Sequence, residues 1–153
     1  MASTKLVVFT DASVVVAAAL SETGGSALVF ALAKKGIVDL ILTEEVFQEA
    51  RLSIQRKYDD QRLAHLYQIL APLKKSIKLT PSQDEQRRFA DLIDDQRDCH
   101  ILAGAERYRA NTLLTLDRKH FFTAKLKEAE LVFNIQLPAE FLAELRSKLS
   151  KNC

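Results

Sequence analysis

The chain reads as a single α/β domain, residues 1–153, with a central parallel five-stranded sheet and helices on both faces. Three observations point there. Five short runs read as strands, and the first two, residues 5–9 and 37–42, are of the buried type, as strands covered on both faces are. Helical patterns separate successive runs, so each connection is a crossover and the strands run parallel. The chain has 153 residues, 48% of them hydrophobic, enough for one domain with a real core.

The first strand is residues 5–9, KLVVF, with Asp11 just beyond it. Residues 13–20 follow as a helix, since their alanines favour it and the run outlasts an ordinary strand. After a break at 21–25, a second helix spans 26–35, with Leu28, Ala31 and Leu32 on one face. Gly36 suits its C′ position, where a left-handed conformation is cheap only for glycine. Residues 37–42 form the second strand. Thr43 then caps a helix over 44–58, whose first turn carries Glu44 and Glu45 as the helix dipole prefers. A helix over 59–70 pairs with it as a hairpin, and Pro72 ends that hairpin.

A short strand is expected at 76–79. Thr80 reads as the next cap, with Pro81 at N1 and Gln83 at N3, opening a helix that carries Phe89, Leu92 and Ile93. A helix over 99–109, a strand over 112–116 and a helix over 118–128 come next. The fifth strand is 131–135, and Pro138 opens a last helix reaching about residue 149.

Composition narrows the function by exclusion. A net charge of +2 singles out neither nucleic acid nor membrane. Cys99 and Cys153 make no CxxC pair, so free thiols and a reducing, cytoplasmic setting are expected. The N-terminal apolar run is too short for a signal peptide, and no run approaches the roughly 20 apolar residues that span a bilayer. His65, His100 and His120 are too scattered for a zinc motif, and His100 and His120 are assigned to surface or packing. There is no Gly-rich phosphate loop and no GxSxG elbow. Asp11-Ala12-Ser13 also lacks the second acid of a DxD phosphatase motif.

The carboxylates carry the chemistry. Asp11 follows the first strand and Asp117 the fourth, so both belong to the carboxyl edge of a parallel sheet. If those strands are neighbours where the winding reverses, the two acids face one crevice. Asp98 leads the helix over 99–109, with Asp95 one turn earlier, and Glu49 lies two turns into the helix after strand two. Such acids repel one another unless a hard cation such as Mg²⁺ or Mn²⁺ joins them, and that set suits phosphodiester hydrolysis. Each of Asp11, Asp98 and Asp117 also precedes a helix, so a plain capping role competes. Glu49 alone also fits a solvated helix face.

Four segments in order, VVFTDASVVVAAAL, LILTEEVFQEARLSIQRKY, DCHILAGA and LLTLDRKHF, resemble the PIN-domain family of metal-dependent ribonucleases over nearly the whole chain. The resemblance implies a sheet of order 3-2-1-4-5. It implies Asp11, Asp98 and Asp117 as ligands of Mg²⁺ or Mn²⁺, and Glu49 as a fourth catalytic acid, with Glu45 one turn away as its rival. Ser13, Thr115 and Asp95 would support them. The implied activity is endonucleolytic cleavage of single-stranded RNA, as the toxin of a toxin–antitoxin pair. An antitoxin partner and a homodimer come with that reading, and Arg51, Arg56, Lys57 and Arg62 are candidates for a phosphate-binding rim. The competing function is a non-catalytic PIN domain that binds RNA or protein. Intact acids at all four positions speak against it.

Overall fold

The computed structural model describes residues 5–151. Cys153 lies outside them, and Cys99 is free and buried. Five strands, β1 (Leu6–Thr10), β2 (Val38–Thr43), β3 (Ile77–Lys78), β4 (Thr112–Leu114) and β5 (Asn134–Gln136), pair in parallel throughout in the order β3-β2-β1-β4-β5. The chain winds outward from β1 through β2 to β3, then returns to β4 on the other side of β1. That reversal lies between β1 and β4 and opens a crevice at their carboxyl ends.

Helices α1 (Ala12–Leu20), α2 (Gly25–Lys34), α3 (Glu44–Lys57) and α4 (Asp60–Leu70) make the first two crossovers, and α1 packs on all three of the others. Helix α5 (Gln83–Arg87) and α6 (Cys99–Arg107) make the return crossover, with α6 on β1 and β4. Helices α7 (Arg118–Phe121), α8 (Ala124–Glu128) and α9 (Pro138–Lys151) complete the order. Val8, Phe9, Leu42, Leu113 and Leu114 are fully buried, as strands covered on both faces require.

Local chemistry explains most boundaries. Thr43 caps α3 by accepting from Val46 N–H, and Gly36 takes φ 78° after α2. Several expectations need correction. Thr80 does not cap α5, because its hydroxyl accepts from Glu45 N–H at 3.1 Å instead. Ser82 is the cap, and it forms a reciprocal box with Glu85 rather than with Gln83. The chain continues past Leu70 as a 3₁₀ turn, Ala71–Ser76, with Pro72 near its start, where a missing N–H costs nothing. Helix α6 stops at Arg107, and Arg109 takes φ 55°. The helix expected over 118–128 is two short ones, because Thr123 restarts the backbone by capping α8. Strand β5 begins at Asn134, while Leu131 and Phe133 pack on the core ahead of it.

Two features set the height of the crevice. Asn111 stitches the base of β4 to β1, its Oδ1 accepting from Val7 N–H at 2.7 Å and its N–H donating to Val7 O at 2.8 Å. Gly104 of α6 lies so close to β1 that a Cβ there would stand 2.5 Å from Phe9 Cζ. Only glycine allows that approach, and it seats the start of α6 against the sheet edge.

Candidate active site

Strand β1 ends level with β4, Thr10 pairing with Leu114, so Asp11 and Thr115 leave the sheet side by side. Asp11 is 5% exposed. Its Oδ1 accepts from Ser13 Oγ at 2.6 Å and from Val14 N–H at 3.3 Å, and its Oδ2 accepts from Thr115 Oγ1 at 2.5 Å. Both hydroxyls also accept from backbone: Leu116 N–H bonds Ser13 Oγ, and Asp117 N–H bonds Thr115 Oγ1, each at 3.0 Å. This is why β4 ends at Leu114 and not at 116: Leu116 N–H turns to Ser13 instead of extending a ladder. Asp117 therefore stands three residues beyond the strand. A carboxylate has about four acceptor positions, so Asp11 keeps one free. Burial raises its pKa and the three donors pull it back, while the nearby Asp117 charge pushes it up again; the net direction is upward.

Asp117 caps α7, accepting from His120 N–H at 3.2 Å, and its Oδ2 lies 2.7 Å from His120 Nδ1. That bond raises the His120 pKa. His120 in turn reaches Asp98 and Asp95, one ligand atom of each lying within 4.8 Å of the others. Asp98 enters α6 without making a side-chain capping bond, which removes the plain capping role weighed for it. Its pKa is pushed up to about 6, first by burial and then by the Asp95 charge, with Asp117 and Glu49 adding to the rise and His120 opposing it. Asp95 is drawn down to about 2 by its hydrogen bonds with Arg97, which grips it through Nε at 3.0 Å and Nη2 at 2.8 Å.

Glu49 reaches the edge from α3, close enough for its charge to act on Asp98. Its Oε1 lies 2.6 Å from His100 Nε2, and Glu45 Oε2 lies 3.6 Å from His100 Nδ1. His100 is 1% exposed, and neither ring nitrogen has an aligned hydrogen-bond partner. Glu49 sits off the N–H direction, so the contact is an ion pair. Burial opposes the charge on this ring, but Glu49 and Glu45 outweigh it, and its pKa is raised.

The charge of Asp117 acts on both Asp11 and Asp98, and those of Asp95 and Glu49 act on Asp98. Among the described residues, however, the acids that come within 4.8 Å of one another with a histidine are Asp95 and Asp98, and Glu45 and Glu49, not the expected trio Asp11, Asp98 and Asp117. Ser13 and Thr115 hold Asp11. Between the rivals, Glu49 is the one whose charge acts on Asp98. The four basic residues expected as a rim are engaged or lie on the outer length of the hairpin: Arg51 bonds Gln48 and Gln55, and Arg62 bonds Asp59. A cation beside the acids is Arg97, which the sequence reading missed. Assigning His100 and His120 to surface or packing overlooked their carboxylate partners. The signals existed: His120 stands at i+3 from a capping aspartate, and His100 is the one residue with a basic side chain in the wholly buried stretch from Cys99 to Ala105.

The donors in the row Asp11, Asp98 and Asp117 are carboxylate oxygens, with one acceptor position open on Asp11 and an uncapped Asp98. That set fits a hard, oxygen-seeking dication. Among the described residues no single helix is long and apolar enough to cross a membrane.

A family model described as a PIN domain matches residues 7–119. No curated protein matches the sequence. Among solved structures, the fold is similar to a chain of the VapBC2 complex from Rickettsia felis, crystallised with a DNA fragment from its promoter. The TM-score is 0.63 at 17% identity, covering 86% of this chain and 98% of that one. A chain of FitAcB from Neisseria gonorrhoeae gives a TM-score of 0.60 at 16% identity, covering 86% and 97%. A chain of FitAB bound to an IR36 DNA fragment gives 0.58 at 17%, covering 86% and 94%.

Proposed function

The chain belongs to the PIN-domain family, and from that premise we propose that it is a metal-dependent endoribonuclease acting on single-stranded RNA. The observation that carries this reading is the Asp11 carboxylate: buried, fixed by three donors, and close enough to Asp117 for that charge to act on it.

Asp11, Asp98 and Asp117 would hold Mg²⁺ or Mn²⁺, with Glu49 closing the row. Bound there, the ion supplies an activated water and neutralises charge on the scissile phosphate. The protein's own part is to keep the ligands still. Ser13 and Thr115 fix both oxygens of Asp11, and His120 fixes Asp117. Arg97, with its side chain 90% exposed, offers a guanidinium edge to RNA phosphates.

Likeness to chains of the VapBC2 and FitAB complexes supports the toxin of a toxin–antitoxin pair, held by an antitoxin; a cytoplasmic setting is part of the proposal. A groove of about 310 Å³ between α1, α2 and α4, with Ala27, Phe30, Ala31 and Ile69 in its wall, offers an apolar segment a seat. Exposed Leu28 on α2 and Leu52 on α3 fit a homodimer or that same partner.

Cleavage of single-stranded RNA with Mg²⁺ or Mn²⁺ tests the chemistry. Wild type should cleave, EDTA should stop it, and Asp11→Asn should cut the rate by more than about 100-fold, beyond the 10–100-fold typical of losing a mere ligand-supporting group. Undiminished cleavage by Asp11→Asn, or cleavage by wild type in EDTA, would reject the reading.

A further inference from the structure

We propose that Glu45, Glu49 and His100 form a separate site for a first-row transition-metal dication such as Zn²⁺, clamping α3 to α6 beside the acidic row. It does not rest on the ribonuclease reading.

Glu45 and Glu49 are four residues apart on α3, so they share one face a single turn apart. His100 enters from the first turn of α6 and points between them. One ligand atom from each of the three lies within 4.8 Å of the other two. Metal–nitrogen and metal–oxygen distances of about 2.0–2.2 Å let two ligands on one ion stand up to about 4.4 Å apart. Both carboxylates are near half exposed, and small rotations close that difference.

The imidazole is the second, independent indication. Buried polar groups nearly always have hydrogen-bond partners. His100 is 1% exposed, yet neither Nδ1 nor Nε2 makes an aligned hydrogen bond, the carboxylates facing them being Glu45 Oε2 at 3.6 Å and Glu49 Oε1 at 2.6 Å. An ion on either nitrogen would satisfy it, and the exposed glutamates provide a path in from solvent. The donors also differ from those of the acidic row. One imidazole and two carboxylates favour Zn²⁺, Mn²⁺ or Co²⁺, whereas Mg²⁺ prefers oxygen alone. Glu49 stands between the two sets, so an ion here would fix an acid whose charge acts on Asp98.

The competing account is a buried ion pair, with His100 protonated between two glutamates and no metal. Zn²⁺ titration of the full chain separates the two. The background is Asp11→Asn, which weakens the acidic row and leaves this cluster intact. Calorimetry should show one equivalent more Zn²⁺ bound by Asp11→Asn than by Asp11→Asn/Glu45→Gln or Asp11→Asn/His100→Gln. Glu45 is exposed, so Glu45→Gln keeps the fold even if the His100 variant does not. The ¹⁵N resonances of the His100 ring should move on Zn²⁺ addition, and Tm should rise by roughly 5–10 °C at a hundred times Kd. Equal Zn²⁺ uptake with and without Glu45→Gln, or a His100 ring indifferent to Zn²⁺, would overturn the proposal. Loss or survival of RNA cleavage bears only on the ribonuclease reading.

Discussion

Asp11, at the end of β1, is buried and takes three hydrogen bonds from neutral donors. Asp98, entering α6, is half-buried, makes no capping bond and is surrounded by the charges of Asp95, Asp117, Glu49 and His120. Neutral donors fix a carboxylate in space whatever its neighbours' charge. Neighbouring charges leave it responsive, so at Asp98 the response to pH and to a cation is set by other charged groups as well as by burial.

The largest expected effect separates these roles at Asp98. Asp98→Asn should reduce RNA cleavage by more than about 100-fold, as for any lost ligand. It should also raise the Tm of the metal-free protein at pH 7. The folded pKa is raised from 3.8 to about 6, so the folded state binds this proton more tightly than the unfolded one. Stability from this group is therefore present at low pH and is lost as pH rises from about 4 to about 6. Asparagine carries no such slope. Thermal melts in EDTA from pH 4 to pH 7 should show the mutant's advantage growing with pH, and a constant difference would refute this electrostatic account.

Thr115→Val tests the other half of the comparison. It removes a donor to Asp11 and the acceptor of Asp117 N–H together. Leaving such groups unpaired costs about 1–3 kcal/mol, and misplacing Asp11 costs about 10–100-fold in cleavage. Thr115→Ser should restore most of both, measured by melting and by the RNA assay. If Thr115→Val matches wild type, the hydroxyls do not fix Asp11.

Arg97→Ala should be the mildest. The Asp95–Arg97 pair is largely solvent-facing, and such pairs contribute no more than about 1 kcal/mol. Tm should move by less than about 2 °C, and Mg²⁺ affinity, read by calorimetry, should hold or tighten. Weaker Mg²⁺ binding would mean that Arg97 positions Asp95 for the ion.

The fold was legible where one local signal decided the outcome. Continuous apolar runs marked β1, β2 and β4, and Gly36 and Thr43 marked the ends of α2 and the start of α3. The order of strands came from the family resemblance. What sequence could not give were choices between equal local options that a distant contact decides. Thr80 and Ser82 are both good caps, and Glu45 N–H, 35 residues away, took the Thr80 hydroxyl. Strand β4 seemed to continue through Leu116 until Ser13, 103 residues earlier in sequence, claimed its N–H. The positions of the acids were readable as carboxylates following strands or leading helices. Of their partners, His120 and Arg97 lie within three residues of the acids they meet and were overlooked, whereas the use of His100 shows only once α3 brings Glu45 and Glu49 to it.

Gly104 turns helix α6 into a lever. Its missing Cβ lets the helix rest on Phe9, and Asp98 lies six residues toward the N-terminus, about 9 Å along the axis at 1.5 Å per residue. A tilt of about 10° at that fulcrum would swing Asp98 by about 1.5 Å, whereas productive sites tolerate about 0.5 Å. A single methyl group at this apolar contact would push the helix away from Phe9, weakening the core by about 1–3 kcal/mol and carrying Asp98 out of line at the same stroke.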